Sequence, residues 1–139
     1  QIVVLTPYLG QLYLIQKELQ ARMKLGVSFG DKDMADLREA ADSPGAISSA
    51  QGRPAIRVAT IDNFQGEEGD IVVVSLVRSN DERRIGFLRE PERVNVLLSR
   101  AKLGMILVGN AECLRSANHQ EGAKMWDKLL LGMEEKQQL

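Results

Sequence analysis

"AIRVATIDNFQGEEGDIVVVSLVRSN", residues 55–80, carries the clearest signal of layered architecture in the chain. Two runs within it, "AIRVATI" and "DIVVVSLV", are dense in Ile and Val and lack the strict apolar–polar alternation of a sheet with one wet face. Such runs suit strands covered on both faces, as in a parallel sheet between helical layers. Between them stand Gln65, Gly66, Glu67, Glu68, Gly69 and Asp70, a polar crowd larger than a plain turn requires.

Working outward, "QIVVLT" is a third β-branched run, closed by Pro7. Leu12, Ile15, Leu19 and Met23 then recur at helical spacing, with Gln16, Lys17 and Gln20 on the other side and Gly26 as a stop. Downstream, "PERVNVLLSRAK" places Pro91 at a first helical turn and Val94, Leu97, Leu98 and Ala101 on one stripe. Arg93 and Arg100 fall on a neighbouring face of that helix. "GMILVGN" reads as another buried strand, and Met125, Trp126, Leu129, Leu130 and Met133 give a last amphipathic helix. Further helical candidates are expected between and after the two central runs. From Phe29 to Pro54 the apolar period fades. That stretch reads as an insertion, with a short helix over Met34 to Ala41 and a flexible part from Asp42 to Arg53.

Alternating strands and helices predict an α/β fold of three layers, a mainly parallel central sheet with helices on both faces. Ligands of such sheets gather outside the carboxyl ends of the strands. That rule assigns "TPYLGQ", "DNFQGEEGD" and "RSNDERR" to one binding edge.

At 139 residues the chain suits one domain, and 44% hydrophobic with 27% charged residues at net charge -1 is ordinary for a soluble globular protein. Cys113 and His119 are each the single residue of their kind, so no intrachain disulfide or Cys-based zinc site is possible and no metal site is expected. His119, in "SANHQEG", reads as a surface loop residue rather than a catalytic one. No apolar run nears the roughly 18 residues that cross a bilayer, and the start lacks the features of a signal peptide. The expected location is intracellular, cytoplasmic or nuclear, away from membranes. Opening on a strand-like run without Met, the chain is expected to be a segment of a longer protein. Its near-neutral total hides a local asymmetry: from Arg78 to Lys102 seven basic residues face four acids.

No G-x-x-x-x-G-K-[ST] and no G-x-G-x-x-G occurs, so the segment cannot cradle a nucleotide alone. It offers instead an edge, Arg100 with Gln65, Gly66 and Glu68, able to touch phosphate held by something else. An Arg fork pairs with phosphate oxygens and offsets charge that develops in phosphoryl transfer. On the plainer reading, Arg93 and Arg100 only pair with Glu90, Glu92 or Glu68 on a solvated surface. Tyr8 can stack on a base, or pack the helix that follows it; Phe64 and Trp126 are expected in the core.

The stretches "LTPYLGQ", "VATIDNFQGEEGDIVVVSLVRSN", "IGFL" and "RVNVLLSRAKLGMILVGN", in this order, closely resemble the later motifs of superfamily 1B helicases, in the group of the nonsense-mediated-decay RNA helicase. "GQLYLI", "SLVRSN" and "IGFL" look most like the NFX-type zinc-finger-containing helicases within it. The resemblance covers most of the chain apart from Phe29 to Pro54.

It implies that residues 1–139 are most of the second, C-terminal RecA-like domain of an ATP-dependent helicase. ATP and Mg2+ would be held mainly by the first RecA-like domain, which is absent here along with the Tyr-Arg motif that opens the second. By the same likeness Gly66 and Glu68 lie near the terminal phosphate, Gln65 supports their loop, and Arg100 resembles the family's arginine finger. Arg100 and Glu68 are then the catalytic candidates. Thr6, Thr60 and Ser79 fall where such domains approach the backbone of single-stranded nucleic acid, RNA ahead of DNA. Their plainer role is to satisfy local backbone at strand ends. Leu97 replaces the Ala common in the family's motif. The isolated chain is expected to be catalytically silent. Two alternatives stay open: a DNA helicase domain, and a helicase-like module that binds RNA or protein without hydrolysing ATP.

Overall fold

The computed structural model describes residues 1–23, 27–28, 35–36, 39 and 56–139. Along them run β1 (Ile2–Thr6), α1 (Leu9–Met23), β2 (Val27–Ser28), β3 (Ile56–Thr60), β4 (Gly69–Ser75), a 3-10 turn (Gly86–Arg89), α2 (Pro91–Leu98), β5 (Ala101–Val108), α3 (Ala111–Arg115) and α4 (Gln120–Glu135). The five strands form one sheet in the order β2-β3-β1-β4-β5, and every pair is parallel. The expected insertion lies outside the described residues apart from Ala35, Asp36 and Glu39, which are helical; Gly26, the expected stop of α1, lies outside them too.

The pleat sorts each strand onto two faces. Val3 and Leu5 of β1 join Val72 and Val74 of β4 in the larger core, with Leu88, Val94, Leu97, Leu114, Trp126 and Leu130. Val4, on the opposite face, packs with Leu12, Ile15, Leu19 and Val58 under α1. Helices therefore cover both faces, and the expected three-layer, RecA-like α/β arrangement is the one observed. Phe64 and Trp126 are in the core as expected, and Trp126 donates its Nε1–H to the Leu88 carbonyl at 2.7 Å.

Four expectations need correction. First, α2 ends at Leu98 with Ser99 as C-cap, so Ala101 starts a strand and Arg100 stands between helix and strand instead of sharing a helical face with Arg93. The apolar spacing of "VLLSRA" continues through the helix end, and periodicity could not mark it. Second, among the described residues β5 is an edge strand with one neighbour; Leu103, Ile106 and Val108 are exposed. An apolar run does not reveal how many neighbours its strand has. Third, β2 is an edge strand that the apolar pattern did not announce.

Fourth, no helix joins β3 to β4. Residues 61–68 make the whole parallel crossover, where a connection usually takes a dozen or more. Three local features allow this compression. The Thr60 carbonyl and hydroxyl accept from the N–H groups of Phe64 and Asn63, turning the chain as β3 ends. Phe64 is buried in the core. Gly66 adopts φ +84°, a left-handed conformation that only glycine reaches freely. Gly69 then enters β4 so close to β1 that a Cβ there would lie 2.6 Å from Val3 Cγ2.

Thr6 and Thr60 are register partners at the carboxyl ends of β1 and β3, whereas Gly69 and Ala101 are register partners at the amino ends of β4 and β5. The motif "DNFQGEEGD" thus travels from one end of the sheet to the other. The motifs expected together at the carboxyl ends of the strands are therefore divided between the two ends of the sheet.

Candidate functional site

At the amino end, Gln65, Gly66, Glu67 and Glu68 are all exposed on the last part of the crossover. The N–H of Gly69 donates to the Arg100 carbonyl at 2.9 Å, tying this loop to the α2–β5 junction. The Arg100 side chain completes the tie. Its Nε donates to the Val96 carbonyl at 2.8 Å, its Nη2 to Ser99 Oγ at 2.8 Å and its Nη1 to the Glu67 carbonyl at 3.0 Å. A cation on the last carbonyls of a helix is favoured by the helix dipole. Three of the five N–H donors of a guanidinium are engaged by these bonds, leaving one on each terminal nitrogen.

Glu68 does not meet Arg100. Its carboxylate lies 3.6 Å from Lys102 Nζ, and both side chains are about half exposed. Glu67 makes the closer links: its carboxylate lies 2.7 Å from Arg57 Nη2, while its carbonyl holds Arg100. The Arg57 guanidinium in turn lies 5.3 Å from the centroid of the Phe64 ring.

Glu68 and Arg100 therefore share one end of the sheet, as a common pocket requires. Sequence reasoning missed Glu67 and Arg57. Glu67 acts largely through its main chain, which carries no side-chain signal, and Arg57 meets it only because the crossover doubles back.

At the carboxyl end, Thr6 is fully buried and its Oγ1 accepts from the N–H of Tyr8 at 3.4 Å. The Thr6 carbonyl accepts from the N–H of Ile61 at 3.1 Å, binding the two strand ends together. Thr60 is buried as well. Their hydroxyls thus serve local backbone, while Ser79 is exposed and accepts from Asn110 Nδ2 at 2.9 Å. Arg93 is at this end, pairing with Glu90 at 2.8 Å and Asp62 at 3.3 Å. Ion pairing was the plainer reading for Arg93 and Arg100 alike, and it holds for Arg93 alone. His119 caps α4, its Nδ1 accepting from the N–H of Gly122 at 3.1 Å.

Tyr8 meets Arg78 and Phe87, both distant in the chain. Arg78 Nε donates to its hydroxyl at 2.6 Å, the guanidinium lies 4.4 Å from its ring centroid, and the Phe87 ring is 5.9 Å away. Among the described residues no group of three or more His, Cys, Asp or Glu could hold a metal ion, and no helix is long and apolar enough to cross a membrane.

Comparison with known proteins agrees with this architecture. A family profile described as an AAA domain matches residues 1–112. The regulator of nonsense transcripts 1 of Dictyostelium discoideum is 38% identical over 82% of the chain. The human NFX1-type zinc finger-containing protein 1 is 34% identical over 100% of it, and the ATP-dependent helicase NAM7 of Saccharomyces cerevisiae 35% identical over 98%. The chain spans 7%, 5% and 11% of the lengths of these relatives, in that order. On the profile match, the full-length similarities and the all-parallel sheet, the chain belongs to the AAA-domain family of superfamily 1 helicases, in the group that includes the regulators of nonsense transcripts and the NFX1-type proteins.

Proposed function

We propose that the chain is most of the second RecA-like domain of an ATP-dependent RNA helicase. It faces ATP with the amino end of its sheet and a single RNA strand with the carboxyl end. The observation that carries this reading is the pinned Arg100 guanidinium beside the exposed Gln65–Glu68 loop, at the end of the sheet opposite Thr6, Thr60 and Ser79.

The residues fit one side of a triphosphate and not its cradle. Arg100 keeps two N–H donors, and Gly66 has open space where a Cβ would stand, which admits close approach of another group. The sequence carries no phosphate-cradling Gly loop, so the first RecA-like domain would bind ATP and its Mg2+. When bound, ATP supplies the phosphoanhydride whose cleavage drives the motor. Arg100 stabilises negative charge on the transferring phosphoryl oxygens; its position is fixed beforehand, so little reorganisation is needed. Glu68 positions the phosphate or the attacking water, and Gln65 supports the loop. Without the first domain the isolated chain should be silent.

At the other end, Ser79 meets the strand backbone directly. Thr6 and Thr60, being buried, contribute by holding the strand ends that present main-chain groups. RNA is preferred to DNA because one relative is named for its action on nonsense transcripts. Contacts at both ends of an eight-residue crossover give a short physical route between the two ligands, although coupling requires two states that each ligand biases differently.

The test is RNA-stimulated ATP turnover by the full-length protein. Arg100→Ala should lower it by about 10³-fold or more, the range of arginine-finger losses, with the fold and much of the RNA affinity kept. Near-normal turnover removes Arg100 from the mechanism and the reading with it.

A further inference from the structure

The two faces of the sheet are not equally covered. Register pairs Val4 with Val73, Val73 with Ile106 and Ser75 with Val108, so all of these lie on the α1 face. The apolar cluster under α1 draws on β1 and β3 and takes no residue of β4 or β5. Beyond it the face is bare among the described residues: Ile106 and Val108 are 55% and 56% exposed, and Ile71 and Val73 are half-buried. Gln11 Nε2 donates to Ser75 Oγ at 3.3 Å, which places the flank of α1 that runs through Gln11 and Leu14 beside β4, and Leu14 is exposed too. An apolar floor with an apolar wall is thus open to water, in a type of sheet that is ordinarily buried on both faces.

The adjoining edge is open as well. The Val108 carbonyl accepts from the N–H of Leu76 at 2.9 Å, so the main-chain groups of Val108 and Ile106 turn toward β4, and those of Leu107 and Met105 turn outward. No strand meets them among the described residues. Beside this edge a cavity of about 620 Å³ runs under α4, lined in part by Met105, Leu107, Leu129 and Met133.

We infer that one strand and one helix from the chain that precedes Gln1 in the full-length protein complete this sheet: the strand pairs in parallel outside β5, and the helix lies on β4 and β5 beside α1. The handedness of crossovers selects this occupant. From β1 the chain passes through α1 to β3, away from β5, and a strand outside β5 that leads into β1 moves across the sheet in the same direction. A right-handed connection then puts its helix on the α1 face, the face that is bare. Alternate side chains of the added strand would fill the cavity under α4. A second copy paired through β5 would extend the sheet and leave Ile106 and Val108 in water. Residues 29–55 join β2 to β3, strands at the opposite edge. The chain spans only 5% to 11% of the three relatives described above, which leaves ample length for the added unit. The inference rests on the proposed function only in taking another domain to precede this segment.

Two measurements on the full-length protein test it. Hydrogen exchange should find the amides of Met105 and Leu107 protected to within about tenfold of Ile106, whose N–H faces β4. A p-benzoylphenylalanine placed at position 106, and separately at 108, should crosslink on illumination to a peptide within roughly 40 residues before Gln1, the span of a strand, a helix and their loops. Free exchange at Met105 and Leu107 beside a protected Ile106 overturns the inference, as do crosslinks to residues 29–55, to a second copy or to another protein, or no crosslink from either position. ATP turnover by the same preparation separates the two readings. Free edge amides with Arg100-dependent turnover defeat this inference alone; protected amides and the expected crosslinks without turnover defeat the motor reading alone.

Discussion

Arg100 Nη1 lies 3.0 Å from the main-chain oxygen of Glu67, and this bond joins the end of the β3–β4 crossover to the α2–β5 junction. Neither partner is held by this contact alone. Val96 and Ser99 fix Arg100 from the helix side, and Arg57 fixes Glu67 from β3. A guanidinium braced in this way is presented in one orientation, which is what charge stabilisation in a transition state needs.

Arg100→Lys should not rescue the function of Arg100. An ammonium retains the charge but cannot reach Val96, Ser99 and Glu67 from one plane while keeping donors in reserve. Turnover should fall by about 10³-fold, close to the alanine variant, and steady-state ATP hydrolysis checks it.

Arg57 is expected to act as a positioning residue. Removing it breaks a partly exposed ion pair with Glu67 and a cation–π contact with Phe64, together worth about 1 kcal/mol. Arg57→Ala should therefore shift urea unfolding modestly and lower kcat several-fold at unchanged KM. An unchanged kcat at the same loss of stability would make the brace merely structural.

The two glycines of the crossover should respond differently to a methyl group. At Gly66 a Cβ meets nothing within 4 Å, and the penalty is that of a left-handed backbone, about 1 kcal/mol, reduced for Gly66→Asn. At Gly69 the Cβ would strike Val3, and overpacking costs about 1–3 kcal/mol. Denaturant unfolding of Gly66→Ala, Gly66→Asn and Gly69→Ala should rank Gly66→Asn mildest and Gly69→Ala most severe.

Trp126 ties α4 to the 3-10 turn that carries Phe87. Trp126→Phe leaves the buried Leu88 carbonyl without its donor and should cost about 1–3 kcal/mol; Trp126→Ala adds a cavity and should cost about 3–5 kcal/mol. Thermal unfolding measures both.

The layers of the fold were legible because Ile and Val runs buried on both faces have few other uses, and Phe64 and Trp126 fell into the core they suggested. The helix end at Leu98 was not, because Leu97, Leu98 and Ala101 keep helical spacing straight into β5. The split of the site between two sheet ends was hidden for a different reason. Residues 61–68 cross the sheet without a helix, relying on the Thr60 turn and the φ of Gly66, and a rule written for strand exits places all of them at one end. The contacts of Tyr8 with Arg78, 70 positions away, depend on a positive φ at Val77, a residue type that signals the opposite. Residue types announced which groups could act; only the backbone path decided which of them meet.

The role proposed for Arg100 is to recognise charge that develops on a phosphoryl group held by another domain. Its most direct measurement is the affinity of full-length Arg100→Ala for ADP with aluminium fluoride, which mimics the transferring phosphoryl, against its affinity for a non-hydrolysable ATP analogue. Arg100→Ala should lose at least about 100-fold in affinity for the transition-state mimic and less than about tenfold for the ground-state analogue. Equal losses for the two ligands, or none for the mimic, would contradict it.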